Sequence, residues 1–482
     1  MNLLTETLQK GIEGRQHSLQ QKVAADPWRL SFHQQPPTGW LNDPNGIHQK
    51  EGIYHVYYQY SPLDPEGGLK YWGHKTSKDL VHFKEEEMFL YPDQKFDCHG
   101  VYSGSAFEKE GVTHFFYTGN VKHPGKHDYI SSGREQNTVH MTSQDGFTID
   151  SREVVIDSTD YPAGFTQHIR DPKIIEKNGL FYMVLGGRTI EDKGAILLYV
   201  SEDLSKWTYT GNLLENQPKL GYMWECPDFF ELDGQDILLM SPQGVEQSGN
   251  EFENIYQSGS MIGKTNWEKL TFEPSGPFIE LDRGFDFYAP QTFLDEKGRR
   301  ILWGWMGLPD IESDYTNPTI ERGWQHALTL PRELTIEEGK LKQRPLSEYK
   351  RLRKDGIETQ LDLSEQYQSM PETSTTYEML VKMNSPKEPI TMQLSQDIVL
   401  TFDGQGFALT LGKSGFGRKT RKIDLTALDQ IQVFVDTSSI EIFLNDGEYV
   451  LTSRMYPKEK TTAIQFKGNT RIQVEKWDLK EA

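Results

Sequence analysis

Three carboxylates stand in short motifs that could carry acid–base chemistry. Asp43 lies in WLNDPNG at 40–46, Asp171 in RDPK at 170–173, and Glu225 in YMWECPDFF at 222–230. Asp-Pro-Asn-Gly also favours a turn. For each acid alone, a surface turn or a local ion pair is at least as good an explanation as a reactive role. Only the convergence of all three would make a reactive site, so the elements that carry them decide the interpretation.

An internal repeat indicates how the chain could bring these acids together. Five times a glycine opens an aromatic and aliphatic strand: GIYHVYYQY at 52, GVTHFFYTG at 111, GLFYMVLGG at 179, GQDILLMSP at 234 and GRRILWGWM at 298. Five units of about 60 residues, all strand and turn, are typical of the four-stranded blades of a propeller. We therefore predict an all-β fold that contains a five-bladed β-propeller.

The other segments predict three further parts of the chain. Residues 1–25 carry apolar residues at helical spacing, which indicates a short N-terminal helical arm before a propeller over 26–335. The charged stretch 336–355 contains two prolines and predicts a linker. Strands resume over 356–482 without the repeat and include a hairpin signal, so we predict a separate β-sandwich there.

The repeat also predicts that the acids converge. Asp43 and Glu225 each lie nine residues before a repeat glycine, and Arg170, beside Asp171, lies nine residues before Gly179. Equivalent positions on the innermost strands of successive blades are related by rotation about the propeller axis, so they face one funnel. Three unrelated surface turns would have no reason to share this spacing.

Convergent carboxylates admit two chemistries. Clustered oxygen ligands suit Ca²⁺ or Mg²⁺, whereas glycoside hydrolysis needs one carboxylate as nucleophile or base and one carboxylic acid to protonate the leaving oxygen. Aromatic rings near the same positions favour a sugar, because rings are apolar platforms that cannot ligate a hard cation. These rings belong to Trp40, Trp72, Tyr102, Trp224, Tyr288 and Trp305. We therefore expect no metal and no cofactor.

The local settings of two acids predict different roles. Asp43 adjoins the polar Asn42, which suits a carboxylate that stays ionised. Glu225 lies among Met223, Trp224 and Phe229, an apolar setting that suits the proton donor.

Composition narrows the range of partners. The formal net charge of −20 repels nucleic acid and anionic membrane surfaces. The N-terminus has no apolar run of signal-peptide length, and no apolar stretch is long enough for a membrane span. Two cysteines do not make a disulfide framework. We expect a soluble cytoplasmic protein that acts on a small molecule, with no nucleic-acid or membrane partner.

At these motifs the sequence closely resembles glycoside hydrolase family 32, which contains invertases, fructan hydrolases and sucrose-6-phosphate hydrolases. WLNDPNG, RDP and ECPD correspond to the three signatures of the family. Further matches are YWGHKTSKDL at 71, YSGSA at 102, FDFYAPQ at 285, LPREL at 330 and SSIEIFLNDGE at 438. The resemblance runs from near residue 30 to the C-terminus and implies the same fold, a five-bladed propeller followed by a β-sandwich.

The resemblance implies a role for each motif residue. Asp43 corresponds to the nucleophile, Glu225 to the acid/base, and Asp171 to the residue that hydrogen-bonds the fructose hydroxyls and stabilises the transition state. Leu41 stands where the family commonly has Met, and Tyr102 where it commonly has Phe. The implied substrate-binding residues are Trp40, Leu41, Asn42, Gln59, Trp72, Tyr102, Ser103, Arg170, Tyr288 and Trp305.

The implied reaction is retaining hydrolysis of the fructosyl bond of sucrose 6-phosphate, and of sucrose, through a covalent fructosyl-enzyme. The loop GNVKHPGKHDYISSGREQ at 119–136 offers side chains that could bind the phosphate, although a solvated basic loop explains the same residues equally well. Those side chains are Lys122, His123, Lys126, His127 and Arg134.

Three alternatives remain open at this point. A fructan hydrolase or invertase would use the same groups on unphosphorylated substrates. An inverting arabinan-type propeller hydrolase is disfavoured by the C-terminal sandwich and by the Asn-Asp-Pro-Asn run. A non-catalytic sugar-binding propeller is disfavoured because all three carboxylates are retained.

Overall fold

The computed structural model describes residues 2–370, 374–458 and 463–482. Met1, in the predicted arm, and segments 371–373 and 459–462, in the predicted sandwich, lie outside the described residues. The chain begins with α1 (Leu3–Ala24), whose first turn is capped by the Asn2 side chain, which accepts a hydrogen bond from the Thr5 amide. Within the described segments, no helix combines the length and apolar character that crossing a bilayer requires.

Five sheets follow the helix, and within each of them the successive strands of the blade pair antiparallel. The first sheet contains β1 (Gly39–Lys50), β2 (Ile53–Ser61), β3 (Tyr71–Ser77) and β4 (Phe83–Glu85). The second contains β5 (Val101–Lys109), β6 (Val112–Lys122), β7 (Arg134–Ser143) and β8 (Ser151–Ile156). The third contains β9 (Phe165–Lys177), β10 (Leu180–Thr189), β11 (Gly194–Ser201) and β12 (Thr208–Leu214).

The fourth and fifth sheets complete the propeller. The fourth contains β13 (Met223–Leu232), β14 (Gln235–Gln243), β15 (Gly259–Asn266), β16 (Thr271–Pro274) and β17 (Ile279–Glu280). The fifth is built on β18 (Tyr288–Leu294) and β19 (Arg300–Met306), and is extended by β21 (Ala327–Leu328), β22 (Arg332–Glu337) and β23 (Lys340–Pro345). Between β19 and β21 the chain forms β20 (Trp324–Gln325), which pairs in parallel with β1 of the first sheet.

The five sheets close into a ring around their first strands. β1, β5, β9, β13 and β18 contact one another in that order, and β18 contacts β1 again. The parallel pairing of β20 with β1 joins the end of the propeller to its beginning. Each repeat glycine identified in the sequence lies between the first and second strands of its blade.

Two six-stranded sheets form the C-terminal sandwich. One has the order β24-β35-β26-β31-β32-β33, with bounds β24 (Arg353–Asp362), β26 (Tyr377–Met383), β31 (Gln430–Asp436), β32 (Ser439–Leu444), β33 (Tyr449–Arg454) and β35 (Arg471–Leu479). The other has the order β25-β34-β27-β28-β29-β30, with bounds β25 (Gln368–Ser369), β27 (Ile390–Gln393), β28 (Ile398–Phe402), β29 (Gly406–Leu411), β30 (Thr420–Asp424) and β34 (Gln465–Gly468). The predicted all-β fold of propeller and sandwich is confirmed.

Residues 336–355, which the sequence presents as a linker, contain regular structure. They include the end of β22, all of β23, a 3-10 helix at Ser347–Leu352 and the beginning of β24. The charged residues of this stretch lie on a half-buried hairpin with an exposed turn at the outer edge of the fifth blade, which explains why its composition resembles that of a connector.

A buried charge network joins the propeller to the sandwich. The Nη2 atom of Arg332, in the fifth blade, lies 3.0 Å from Asp282 Oδ2 and 2.7 Å from Glu441 Oε2 in the sandwich. His33, before the first blade, contacts the other oxygen of Glu441 at 2.9 Å and Asp436 at 2.8 Å. Burial opposes a charged ring, but these two hydrogen bonds outweigh it and raise the pKa of His33.

We expect Glu441→Gln to destabilise the folded chain strongly. The substitution leaves Arg332 and His33 buried with part of their compensating charge removed, which typically costs about 3–5 kcal/mol of unfolding free energy. Urea unfolding measures the difference. Asp362→Asn is the matched control because it breaks the exposed Asp362–Arg471 pair, where we expect at most about 1 kcal/mol. Equal effects of the two substitutions would contradict a supporting role for the network.

A row of buried histidines lies in the first blade. The rings of His48 and His55 stack with centroids 4.9 Å apart, and those of His55 and His74 with centroids 5.2 Å apart. His55 Nδ1 lies 3.1 Å from His74 Nε2. Burial lowers the pKa of these residues to about 4, 3 and 2 respectively, so all three rings are neutral at physiological pH.

This row predicts acid sensitivity. In the unfolded chain the rings take up protons below about pH 6.5, whereas the folded blade excludes them, so unfolding binds protons and stability falls as pH drops below that value. The loss is at most about 2 kcal/mol for each ring at pH 5. The slope of unfolding free energy against pH reports the number of protons that unfolding takes up. Replacing His74 with Phe should reduce that number by about one. An unchanged slope would show that these rings do not cause the acid sensitivity.

Candidate active site

A β-bulge interrupts each of the five innermost strands at the same height. Register shifts fall within residues 41–44, 101–104, 170–173, 225–228 and 288–291. In each shift two residues on the innermost strand oppose one on its neighbour, which bends the strand and re-aims its side chains. The motif residues of all five blades therefore meet around the propeller axis.

The bulges differ in detail from the single register that the repeat spacing suggests. Asp43 and Asp171 are bulged residues, whereas Glu225 is the last paired residue before its bulge. Asp171, Cys226 and Ala289 have φ values of 65°, 48° and 47°, in the left-handed region that non-glycine residues rarely adopt. Such strain at equivalent positions of three blades is typical of a functional site.

The Asp43 carboxylate is held by three side chains. Its Oδ1 atom accepts a hydrogen bond from Asn42 Nδ2 at 3.0 Å, and its Oδ2 atom accepts one from the Ser103 hydroxyl of the second blade. The Cys226 thiol, from the fourth blade, lies 3.6 Å from the same Oδ2. Burial raises the pKa of Asp43 while the hydrogen bonds from Ser103 and Asn42 oppose the rise.

The Glu225 carboxylate has partners on three blades. Arg170 donates to its Oε1 atom from Nε at 3.1 Å and from Nη2 at 2.5 Å. Its Oε2 atom accepts hydrogen bonds from Gln243 at 2.8 Å and from the Tyr288 hydroxyl at 2.6 Å. The apolar setting predicted for Glu225 is absent around the described carboxylate, because the neighbouring Trp224 is turned into the propeller core.

Asp171 contacts both the backbone and the side chain of Cys226. Its Oδ2 atom accepts a hydrogen bond from the Cys226 amide at 2.9 Å and lies 3.6 Å from the Cys226 thiol. Cys226 Sγ therefore contacts both Asp43 and Asp171. Burial raises the pKa of Asp171 to about 7, against the attraction of Arg170 and with the repulsion of Glu225.

A hydrogen-bonded chain of predicted binding residues lines one wall. Trp40 Nε1 donates to Asn42 Oδ1 at 2.7 Å, and Asn42 Nδ2 donates to Gln59 Oε1 at 2.8 Å. Gln59 Nε2 then donates to the Ser103 hydroxyl at 2.7 Å, which in turn bonds Asp43. The chain fixes the side-chain orientations beside Asp43 before any ligand binds.

Two predicted binding residues lie in the core instead of the funnel. Leu41 is fully buried among the apolar residues behind β1, because it points to the opposite side of the strand from Asn42. Trp72 is also fully buried and donates its indole N–H to the Tyr102 carbonyl at 3.1 Å. Its position supports the backbone of Tyr102.

Three of the four remaining predicted aromatic residues, Trp40, Trp305 and Tyr288, form a row of contacting rings. The ring of Trp305 lies 5.6 Å from that of Trp40 and 6.2 Å from that of Tyr288. Trp40 and Tyr102 are partly exposed, whereas Trp305 and Tyr288 are almost completely covered. Trp40 and Tyr102 are therefore the rings available to a ligand that enters from solvent.

Three polar residues that contact Glu225 or its partner Arg170 were not predicted from the sequence. Gln243 ends β14 in a stretch without a motif, and it reaches Glu225 because β14 pairs with β13. Gln136 and His168 both contact Arg170 Nη1, at 3.2 Å and 2.8 Å. Gln136 and Gln243 lie far along the chain from the residues that they contact, so the sequence gives no sign of these contacts. His168 stands only two residues before Arg170, but it belongs to no recognised motif.

The five basic residues of the 119–136 loop lie in different surroundings. His123 pairs with Glu135 at 2.7 Å, His127 packs against Gly133, and Lys126 is exposed. Arg134 instead lies beside His168, with its Nη1 atom 3.2 Å from the ring, and its charge interacts with Tyr102, Arg170 and Glu225. Lys122 lies directly opposite Arg134 in the register of β6 and β7. Arg134 is thus the loop cation whose charge reaches Glu225, and the charge of Lys122 interacts with that of Arg134.

The donor set at the acids does not resemble a metal centre. Across the described ranges, no group of three or more His, Cys, Asp or Glu side chains is arranged to hold a metal ion. Arg170 forms an ion pair with Glu225, so its guanidinium stands where a metal ion would have to bind this carboxylate.

Comparisons with known proteins agree with the motifs. Residues 33–345 match the description "Glycosyl hydrolases family 32 N-terminal domain", and residues 348–481 match "Glycosyl hydrolases family 32 C terminal". The chain is similar to the sucrose-6-phosphate hydrolase of Staphylococcus xylosus, with 41% identity over 96% of this chain and 94% of that protein.

Solved structures show the same similarity over the whole chain. The sucrose-6-phosphate hydrolase from Lactobacillus gasseri has a TM-score of 0.87 and 30% identity, covering 97% of this chain and 96% of that one. The Bombyx mori GH32 beta-fructofuranosidase has a TM-score of 0.86 and 29% identity over 99% of both chains, and a variant of it was solved in complex with sucrose. The resemblance to the family and the prediction of a glycosidase are confirmed. The chain belongs to glycoside hydrolase family 32.

Proposed function

We propose that this chain hydrolyses the fructosyl bond of sucrose 6-phosphate, and of sucrose, with retention of configuration. The observation that carries the proposal is the meeting of Asp43, Asp171 and Glu225 around Cys226 in one funnel. The names of the similar proteins, which are sucrose-6-phosphate hydrolases and a beta-fructofuranosidase, support the substrate class. A substrate phosphorylated before it reaches the enzyme agrees with the cytoplasmic location that we propose.

In the first step Asp43 attacks the anomeric C2 of the fructosyl unit. Asn42 donates a hydrogen bond to one oxygen of this carboxylate and Ser103 to the other, which fixes the orientation of the nucleophile toward the sugar. Glu225 protonates the departing glucosyl oxygen at the same time, and a covalent fructosyl-enzyme forms. Asp171 accepts hydrogen bonds from fructose hydroxyls, and these bonds strengthen as positive charge develops on the ring.

In the second step water replaces the glucosyl unit. Glu225, now a carboxylate, takes a proton from this water, which attacks C2 and releases Asp43. Arg170, Gln243 and Tyr288 keep the Glu225 carboxylate in one orientation through both steps. Two displacements at C2 restore the original configuration.

Replacing Asp43 with Asn tests the nucleophile. The amide keeps the hydrogen-bonding shape but cannot form the covalent ester, so we expect kcat for sucrose to fall by at least about 1,000-fold. Thermal unfolding should show that the fold is intact. Asp150→Asn, at an exposed turn away from the funnel, is the control and should leave kcat unchanged. A kcat near that of the parent protein in the Asp43 variant would refute the assignment.

Replacing Glu225 with Gln separates the two roles of the acid/base. We expect turnover of sucrose to fall by about 100- to 10,000-fold, because proton transfer to the leaving oxygen is lost. A fructosyl fluoride needs no protonation, so its first step should remain fast and produce a burst of fluoride equal to the enzyme concentration. Added azide should then restore turnover, because azide needs no base. Absence of both the burst and the rescue would contradict the acid/base role.

The phosphate of the substrate is proposed to bind Arg134 and Lys122. Arg134 Nε is buried without a hydrogen-bond partner among the described residues, and neither side chain has an acidic partner within ion-pair distance in that part of the chain. Burial and the nearby Arg170 lower the pKa of Arg134, so an anion would relieve the repulsion between these two guanidinium groups. The charge of Arg134 interacts with Glu225, the proposed proton donor to the glucosyl oxygen, and Lys122 lies opposite Arg134 on the neighbouring strand.

Arg134→Gln tests this assignment. Loss of a charge-assisted hydrogen bond should lower kcat/KM for sucrose 6-phosphate by about tenfold or more relative to sucrose. His123→Gln, in an exposed ion pair of the same loop, is the control and should leave the ratio of the two substrates unchanged. If the parent protein hydrolysed both substrates equally well, the preference for the phosphorylated substrate would be wrong, and an invertase would be the better description.

A further inference from the structure

Lys70 lies at the mouth of the funnel without an ionic partner. It precedes β3, and its carbonyl accepts a hydrogen bond from the Val101 amide of the second blade at 3.1 Å. Its ammonium nitrogen lies 4.6 Å from the centroid of the Trp40 ring, a cation–π contact. Throughout the described residues, no carboxylate lies within ion-pair distance of this nitrogen and no acceptor is hydrogen-bonded to it.

The backbone nearby is shaped to leave room for this ammonium. Gly67 has a φ of 95°, and a Cβ atom there would lie 3.1 Å from Lys70 Nζ and 3.2 Å from the Trp40 ring. Any side chain at residue 67 would therefore press between the ammonium and the ring. Trp40 is itself held by its hydrogen bond to Asn42, beside Asp43. The lysine is thus positioned by packing on both sides.

Among the described residues, no protein group accepts a hydrogen bond from this ammonium, which stays open to solvent. It carries three N–H donors, and the face of Trp40 satisfies none of them by a hydrogen bond. Burial lowers the pKa of Lys70 to about 7, while the charges of Asp43 and Asp64 oppose the decrease. An anionic ligand group with several oxygens would supply the missing acceptors and favour the charged form.

The position of Lys70 indicates which part of the substrate it faces. Arg170 contacts Glu225, and the charge of Arg134 also interacts with Glu225, on the side of the leaving glucosyl unit. Lys70 instead contacts the ring of Trp40, which is hydrogen-bonded to Asn42, and Asn42 donates to Asp43, the group that attacks the fructosyl carbon in the proposed mechanism. Lys70 therefore belongs to the fructosyl side of the funnel.

We propose that Lys70 binds a phosphate group carried by the fructosyl unit, so that the enzyme also hydrolyses sucrose phosphorylated on that unit. The inference rests on the proposed fructosyl hydrolysis and extends its substrate class. The bond cleaved is the same: water adds across the C2–oxygen bond and releases glucose and a fructose phosphate. Lys70 is a specificity-determining residue in this proposal, with Trp40 and Gly67 as the groups that position it.

The test compares kcat/KM for sucrose, for sucrose phosphorylated at glucosyl C6, and for sucrose phosphorylated at fructosyl C6. Lys70→Met keeps the length of the side chain and its packing on Trp40 but removes the charge. We expect the ratio of fructosyl-phosphorylated to plain substrate to fall at least about tenfold, mainly through KM. Lys206→Met, at an exposed lysine of the third blade, is the matched control and should leave this ratio unchanged.

Two further measurements keep the test decisive. Gly67→Val should reduce the same ratio, because its side chain displaces the ammonium from the ring. Calorimetry with fructose 6-phosphate should show binding to the parent protein that weakens at least about tenfold in Lys70→Met, whereas binding of glucose 6-phosphate should not weaken in this way.

The outcomes separate this inference from the proposed function. A parent protein that hydrolyses sucrose but neither binds fructose 6-phosphate nor accepts the fructosyl-phosphorylated substrate would overturn the inference alone. Equal losses on all three substrates in Lys70→Met would also overturn it, because they would indicate a structural role. Absence of hydrolysis of both sucrose and sucrose 6-phosphate would refute the proposed function, and the calorimetry would still test the binding of phosphate by Lys70.

Discussion

The funnel depends on one geometric constraint, which is that all five innermost strands are bulged at the same height. In a regular strand, successive side chains point to opposite faces of the sheet, toward the neighbouring blades and away from the axis. The bulges break this alternation, and three of them hold a non-glycine residue at positive φ. The closed ring supports this local strain, because each innermost strand packs between two others.

Crowding carboxylates into one funnel is electrostatically unfavourable, and the other blades offset this cost. Ser103 from the second blade bonds Asp43, and Arg170 from the third bonds Glu225. The amide of Cys226, from the fourth, bonds Asp171, and Tyr288 from the fifth bonds Glu225. Because every blade supplies a donor, the site is complete only when the ring is closed. The global charge of −20 increases the importance of these local donors.

The blades and the acids could be predicted because their signals are local. Repeat glycines mark the turns after the innermost strands, and each motif lies a short, nearly constant distance before its glycine. The orientation of single side chains was less predictable: Leu41 and Trp72 belong to the motifs yet lie in the core, since strand alternation places them there. Gln243 and Lys70 reach the funnel through pairing and packing between distant segments, which leave no pattern in the sequence.

The sandwich contributes to the site through the segment that closes the propeller. Glu441 accepts a hydrogen bond from the Leu330 amide at 2.6 Å and pairs with Arg332, so it anchors the segment that carries β20, β21 and β22. β20 pairs in parallel with β1, and β21 and β22 pair with β19, so this segment joins the last blade to the first. Because β1 carries Asp43, the sandwich helps to hold the proposed nucleophile against the other four blades.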